Sequence, residues 1–169
     1  EIGTAVKTIE TAGNENICIL HCVSVYPVEP ANVNLRNMVM LKEHFPECTV
    51  GYSDHPAGSE VSCAAVALGA GLIEKHFTLD NRKIGWDNQM ATEPDVMQEL
   101  VNRCQNVYVS LGSYDRVLSE DELTQRSKMR RSLVAARNLT AGETITANDM
   151  DAKRPGDGIS VEDYEQLIG

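Results

Sequence analysis

The sequence predicts an α/β fold built on a parallel sheet. Short apolar runs alternate with segments of helical period, in the order strand, helix, strand, helix, strand. This spacing is typical of βαβ units, because two parallel strands need a long crossover between them. The runs are apolar throughout, as strands covered on both faces require. A doubly wound sheet and a (β/α)8 barrel both fit the pattern, although three strands cannot close a barrel alone.

The first half of the chain supplies the strands and the helices between them. An opening helix has apolar residues at helical spacing and ends at a glycine turn signal: Ile2, Ala5, Val6, Ile9 and then Gly13. Buried strands are predicted at residues 16–25, 49–52 and 72–79. Helices are predicted between them at residues 34–45 and 60–68, and Gly69 ends the second of these.

The pattern of residue types changes in the second half of the chain. Residues 80–92 form a polar loop in this interpretation, and a helix at 94–111 follows, with proline at its start and glycine after its end. A strand at 133–136, a tight loop at 154–158 and a helical segment at 163–168 indicate a second, small domain. The predicted organisation is a first domain at 1–112, a charged and partly helical linker at 113–131, and a second domain at 132–169.

Composition limits the classes of function. The 169 residues carry a formal net charge of −10, which argues against binding to nucleic acid or to anionic membranes, since both need a basic face. No apolar run approaches the ~20 residues of a membrane span, and no signal peptide is visible, so a cytoplasmic protein is expected. The five cysteines are expected to be buried, reduced thiols, with Cys18 and Cys22 on one face of a strand. The chain opens without Met in a helical segment, which suggests a piece of a longer protein.

The chemistry is expected at the ends of the strands. Parallel α/β sheets form their sites at the carboxyl ends of the strands, and side chains alternate between the two faces. Each predicted strand ends with two chemically useful residues on one face: Ser24 and Tyr26, Ser53 and His55, and Glu74 and His76. If these are the inner faces, two imidazoles converge from strands about 4.8 Å apart. Such a pair suits Mn²⁺ or a transition metal that keeps open coordination positions and acts as a Lewis acid.

Other polar residues near these strands have simpler interpretations. His21 has the parity opposite to the site residues, and His44 lies near a helix end, where a positive charge is favourable, so both are interpreted as structural. Asp54 could contact an imidazole or cap the helix that follows. Glu74 could hydrogen-bond the site, as a candidate catalytic group beside the histidines, or form a salt bridge inside a barrel. Lys75 has the opposite parity and is not expected to be catalytic.

Several blocks along the chain resemble the N-acetylneuraminate (sialic acid) synthase family. They read, in order, YP, NL, GYSDH, AVALGA, IEKHFTLD, RRSLVA and KRPGDGI, and they extend over nearly all of the chain. The resemblance implies the last three strands of a (β/α)8 (TIM) barrel, joined by a linker to the start of a small antifreeze-protein-like (SAF) domain. By this likeness the front of the barrel is absent, and a fragment with such open strand edges is expected to need a partner and to be inactive alone.

The resemblance also implies roles for individual residues. His55 and His76 match the family's metal-binding histidines, which usually hold Mn²⁺, with Mg²⁺ and Co²⁺ as alternatives. Ser53 matches a serine that holds the phosphate of phosphoenolpyruvate, and Ser24 stands where many relatives carry an Asn that contacts this phosphate. The residues that match contacts to the amino sugar are Tyr26, Asp87 and Arg154. Arg154 would reach the site from the small domain of the other subunit in a domain-swapped homodimer.

The implied reaction condenses phosphoenolpyruvate with an N-acetylated amino sugar, N-acetylmannosamine or a relative, to give a nonulosonic acid and phosphate. Carbon 3 of phosphoenolpyruvate attacks the sugar aldehyde, water adds at carbon 2, and phosphate leaves by carbon–oxygen cleavage. The sequence departs from the family at Gly85-Trp86-Asp87-Asn88, where many relatives read Gly-Pro-Asp-His. This loop lines the sugar side, so the sugar stays open, and Trp86 fits either a sugar-side residue or a packed aromatic.

Two other classes of function also fit the residues. A metal-dependent lyase or isomerase on a similar barrel would not need phosphoenolpyruvate. A non-catalytic sugar-binding module is the second alternative, because antifreeze-like domains also occur outside enzymes. Metal binding by His55 and His76 distinguishes the two classes, because an enzyme of this kind requires it and a non-catalytic module does not.

Overall fold

A computed structural model describes residues 1–169. The chain divides into two compact units, Glu1–Gly112 and Ser113–Gly169. The division falls where the sequence predicts the charged linker to begin. Each unit has a sheet of its own, and the two units are described separately.

The first unit is built on a three-stranded parallel sheet. Its strands are β1 (Cys18–Cys22), β2 (Thr49–Asp54) and β3 (Ile73–Lys75), in the spatial order β1-β2-β3. The helices of this unit are α1 (Ile2–Thr11), α2 (Arg36–His44), α3 (Glu60–Ala67) and α4 (Pro94–Leu111). Strands and helices alternate along the chain from β1 to α4, so the predicted α/β fold with a parallel sheet is confirmed.

One face of the sheet packs against helices and forms the core. The core includes Val50 and Tyr52 of β2, Met38 and Leu41 of α2, and Ala65 of α3, all of them buried. Burial of one large apolar side chain stabilises a fold by about 1.5–3 kcal/mol. Because this face is occupied by the core, polar side chains of the opposite parity are directed to the other face.

The strands differ in length from their predictions. The first and third are shorter than the apolar runs at 16–25 and 72–79, and the second is two residues longer than 49–52. Strand length depends on pairing, and β3 pairs with β2 only from Tyr52↔Ile73 to Asp54↔Lys75. Within the apolar run beyond β3, Phe77 forms an isolated bridge with Thr92.

Glycines mark the helix ends that the sequence predicts. Gly69 (φ 88°) follows α3 and Gly112 (φ 59°) follows α4, both in the left-handed region that favours glycine. The bounds of α4 agree with the prediction, because Pro94 occupies its first turn. No helix of the structure combines the length and the apolar character needed to cross a bilayer.

The second unit contains one helix and a two-stranded antiparallel sheet. Helix α5 (Glu120–Met129) begins with a capping box between Ser119 and Glu122, within the segment predicted as a partly helical linker. The strands are β4 (Ser132–Ala135) and β5 (Met150–Lys153). Strand β5 was not predicted, and the helical segment predicted at 163–168 is a 3₁₀ helix at Val161–Leu167.

Candidate active site

A row of side chains crosses the free face of the parallel sheet. The register aligns Cys22 of β1 with Ser53 of β2, and Ser53 with Glu74 of β3. Residues aligned in this way point to the same face of a parallel sheet. The hydroxyl of Ser53 donates a hydrogen bond of 2.7 Å to Oε1 of Glu74. Of the two predicted roles of Glu74, the structure therefore shows the hydrogen bond to a site residue, and Glu74 forms no salt bridge.

Three rings meet at the carboxyl end of this row. His55 follows β2 and His76 follows β3, and the centroids of their rings are 5.3 Å apart. The ring of Tyr26 lies 4.3 Å from that of His55 and 5.3 Å from that of His76. The convergence of imidazoles that the sequence predicts is thus present in the geometry.

The surroundings of His55 fit a metal ligand. Its Nδ1 lies 2.8 Å from the carbonyl oxygen of Val23, and because a carbonyl can only accept, Nδ1–H is the donor. The lone pair is then on Nε2, which lies 3.4 Å from Oγ of Ser53. Imidazoles that bind metals are commonly held in this way through their other nitrogen.

The donor set of this chain suits a cation with open coordination positions. No group of three or more His, Cys, Asp or Glu side chains in the structure could hold a metal ion. The chain thus offers two imidazole nitrogens, and further ligands would be water or substrate oxygens. A cavity of about 140 Å³ beside them is lined by Ser53, His55, Glu74, Lys75 and His76.

The hydroxyl of Tyr26 stays neutral and can donate a hydrogen bond. Desolvation raises the pKa of Tyr26 above its usual value, and the nearby charges of Cys22, Asp87 and Glu74 raise this pKa further. Asp87 lies in the loop after β3, directly before the 3₁₀ turn Asn88–Met90, and its side chain makes no hydrogen bond. Ser24 lies at the same end of β1, with its Oγ 3.7 Å from Sγ of Cys22.

Arg154 belongs to the second unit, where it follows β5. Its Nε donates a hydrogen bond of 3.0 Å to the carbonyl oxygen of Met129, and the residue is exposed. The guanidinium forms no ion pair in the structure. It therefore retains free donors for an anionic or carbonyl-bearing ligand.

Both predicted roles of Asp54 are wrong. Its Oδ2 accepts hydrogen bonds from Oγ of Ser62 (2.6 Å) and from Nζ of Lys75 (2.8 Å), and it contacts no imidazole. Helix α3 is preceded by Ser59 at its N-cap position, so Asp54 does not cap it. The physical reason is parity, because Asp54 and Lys75 are aligned in the register and face the helices together.

The remaining histidines and the cysteines have the following places. His21 is buried on the helix side and donates from Nε2 to the carbonyl oxygen of Val33 (2.6 Å), and His44 hydrogen-bonds Met40 within α2. All five cysteines are free thiols, as predicted. The prediction that they are buried is wrong, because Cys18 and Cys22 are exposed on the free face of β1 and Cys48, Cys63 and Cys104 are only partly buried.

Two residues near the site were missed from sequence. Cys22 places Sγ 3.9 Å from Nδ1 of His55, and its parity, which it shares with Ser24, could have indicated this. Asn88 makes three side-chain hydrogen bonds within the loop that carries Asp87, and no local pattern signals them. The packed interpretation of Trp86 in the same loop is wrong, since its side chain is fully exposed.

Comparison with known proteins gives two family matches. The model of the NeuB family matches residues 1–116, and that of the SAF domain matches residues 130–169. The chain is 39% identical over 158 residues to the N,N'-diacetyllegionaminic acid synthase of Campylobacter jejuni, covering 94% of this chain and 47% of that protein. It is also 39% identical over 158 residues to the N-acetylneuraminate-9-phosphate synthase of Homo sapiens, covering 92% of this chain and 44% of that protein.

A solved structure shows the same fold. The spore coat polysaccharide biosynthesis protein SpsE of Bacillus subtilis matches with a TM-score of 0.62 and 33% sequence identity. The match covers 99% of this chain and 51% of that structure. The chain thus spans about half the length of the curated relatives it matches.

Proposed function

The chain belongs to the NeuB family, and on that premise we propose that it contributes the metal-binding part of a nonulosonic acid synthase. The proposed reaction joins phosphoenolpyruvate and an N-acetylated amino sugar, N-acetylmannosamine or a relative, with release of phosphate. The synthases among its relatives make acids of this class. The observation that carries the proposal is the pair of imidazoles at adjacent strand ends, 5.3 Å apart, with Nε2 of His55 left free to bind a cation.

The two histidines are proposed to bind a divalent cation, Mn²⁺ in the first place, with Mg²⁺ or Co²⁺ as alternatives. The bound cation would supply Lewis-acid polarisation of the carbonyl of the open-chain sugar. The fit rests on the fixed tautomer of His55 and on the absence of a third protein ligand, which leaves room for oxygen ligands. Carbon 3 of phosphoenolpyruvate would attack the sugar aldehyde, water would add at carbon 2, and phosphate would leave with its bridging oxygen.

The other residues of the face are proposed to bind the two substrates. The hydroxyls of Ser24 and Ser53 can donate to the phosphate of phosphoenolpyruvate, and Ser53 would exchange its bond to Glu74 for one to the ligand. The neutral hydroxyl of Tyr26 and the carboxylate of Asp87 would bind the sugar. The phosphate and the carboxylate of phosphoenolpyruvate must be neutralised by a chain whose net charge is −10, so positive charge is needed close to them.

Arg154 is proposed to supply part of that positive charge. Its guanidinium is exposed and free of carboxylate partners, and it would act on the sugar in the site of the other subunit of a domain-swapped homodimer. A fork of five donors suits both a carboxylate and an N-acetyl carbonyl. The small molecules and the second subunit are then the partners of the site.

The test is phosphate release by the full-length protein that contains this chain. Mn²⁺, phosphoenolpyruvate and a panel of N-acetylated hexosamines, with N-acetylmannosamine first, are supplied together and then with each component omitted. We expect release that requires all three components. A flat trace with every sugar would overturn the synthase. Release from phosphoenolpyruvate without any sugar would point to another metal-dependent enzyme.

A further inference from the structure

The loop between β3 and α4 is joined to the site at both of its ends. The backbone N–H of Thr92 donates to the carbonyl oxygen of His76 (2.8 Å), and the N–H of Thr78 donates to the carbonyl oxygen of Thr92 (3.0 Å). The segment between these bonds, residues 79–91, is here called the sugar-side loop. The loop therefore leaves and rejoins the sheet next to His76.

The side chain of Asn88 ties this loop together. Its Oδ1 accepts a hydrogen bond from Oγ1 of Thr78, and its Nδ2 donates to the carbonyl oxygens of Asp80 (2.7 Å) and Lys83 (2.8 Å). These three bonds use both amide donors and one acceptor position, and the residue is half-buried. An amide that is so fully bonded fixes backbone separated by eight residues in the sequence.

Asp87 has no comparable restraint of its own. Its carboxylate makes no side-chain hydrogen bond, and only its backbone is held, through the N–H of Met90 donating to its carbonyl oxygen (3.0 Å). The ring of Tyr26 packs against both imidazoles at this end of the sheet, and Asn88 is bonded to Thr78, two residues after His76. The position of Asp87 therefore depends on the hydrogen bonds of its neighbour in the sequence, Asn88.

We propose that Asn88 is a positioning residue that holds Asp87 at the sugar side of the site and thereby sets the affinity for the amino sugar. The proposal rests on the proposed function, since it takes the ligand to be an N-acetylated hexosamine. The proposal concerns a position at which this sequence departs from many relatives, in the segment Gly85-Trp86-Asp87-Asn88.

The first measurement is hydrogen exchange of the peptide 79–91 in the full-length protein without substrates. Asn88→Ala removes all three bonds, and Asn88→Asp retains the acceptor for Thr78 but loses both donors. We expect faster exchange in this peptide for both variants, and for Thr78→Val but not Thr78→Ser. Gln89→Ala, which changes the exposed neighbour, is the matched control and should exchange like the wild type. Unchanged exchange in Asn88→Ala overturns the proposal.

The second measurement separates the two substrates. We expect Asn88→Ala to raise the KM for the amino sugar by about tenfold, the lower end of the effect of groups that orient a site's ligands, with the KM for phosphoenolpyruvate little changed. Equal rises in both KM values would indicate general damage and overturn the proposal, as would faster exchange with both KM values unchanged. If the wild type releases no phosphate, the proposed function falls, while the exchange result still decides whether Asn88 holds the loop.

Discussion

Ser53 donates a hydrogen bond of 2.7 Å to Glu74, across the two strands whose ends carry His55 and His76. The same hydroxyl lies 3.4 Å from Nε2 of His55. Ser53 thus stands between a carboxylate and the free nitrogen of an imidazole, on the face of the sheet opposite the core. A ligand phosphate bound here would take the hydrogen bond that Glu74 now accepts.

Ser53→Ala is expected to weaken the binding of phosphoenolpyruvate. A hydrogen bond to a charged group contributes about 1.5–3 kcal/mol, so the KM for phosphoenolpyruvate should rise by about tenfold or more. Steady-state kinetics of phosphate release at saturating amino sugar would measure this rise. Ser110→Ala, which removes an exposed hydroxyl bonded only within α4, is the control and should keep the wild-type KM. An unchanged KM in Ser53→Ala would remove the serine from the phosphate site.

His55→Ala and His76→Ala are each expected to lower the affinity for Mn²⁺. Each variant removes one of the two imidazole nitrogens that the chain offers, and no third protein donor compensates. A loss of about tenfold or more is expected, since even outer groups that orient a ligand are worth that much. Metal content after dialysis and titration with Mn²⁺ would measure the loss. His44→Ala, at an exposed histidine of α2, is the control, and retention of metal in both site variants would contradict the proposed centre.

The parity of side chains explains how much of the site could be predicted from the sequence. Alternation along a strand requires no knowledge of neighbours, so the shared face of Ser53 and His55, and the opposite face of His21, follow from the order of residues alone. The bounds of α4 were equally local, because Pro94 and Gly112 mark its ends.

Features that depend on pairing could not be predicted. Strand β3 ends at Lys75 because its pairing with β2 ends there, although the apolar run in the sequence continues to residue 79. The face of Asp54 follows from its parity, opposite to that of Ser53 and His55, but its bonds to Lys75 and Ser62 depend on the strand register and on the packing of α3. The bonds of Asn88 to Thr78 join residues ten apart, and nothing in the local sequence indicates them.

Lys75→Met is expected to destabilise the protein strongly. The side chains of Lys75 and Asp54 are 9% and 1% exposed, and Lys75 forms an ion pair with Oδ2 of Asp54. Since Oδ1 of Asp54 has no hydrogen-bond partner, Lys75 is the charge that compensates this buried carboxylate. Removing one partner of a buried pair costs about 3–5 kcal/mol in the free energy of unfolding. Urea unfolding would measure the loss.

Two further variants distinguish charge compensation from packing in this pair. The double variant Asp54→Asn with Lys75→Met should be less destabilised than Lys75→Met alone, because no unpaired charge is left buried. Arg103→Met removes an exposed pair with Glu99 and should cost at most about 0.5 kcal/mol. A cost for Lys75→Met no larger than that for Arg103→Met would mean that the buried pair is unimportant for stability.

Asp149→Asn is expected to destabilise the second unit at neutral pH and to have little effect in strong acid. Asp149 is buried and accepts hydrogen bonds from Oγ1 and N–H of Thr146 (2.6 and 2.8 Å) and from Nε of Arg137 (2.6 Å). These donors, the Thr146 hydroxyl foremost, lower the pKa of Asp149 from 3.8 to about 2. A folded-state pKa below the unfolded value means that the ionised carboxylate stabilises the fold above about pH 4, and that this contribution is lost as the pH falls to about 2. Thermal unfolding of wild type and variant should therefore give Tm values that differ at neutral pH and converge near pH 2.

Asp151→Asn, on the exposed side of β5 with Lys153 at 3.8 Å, is the control and should show no such difference. A Tm gap for Asp149→Asn that is the same at both pH values would contradict the electrostatic origin of this contribution.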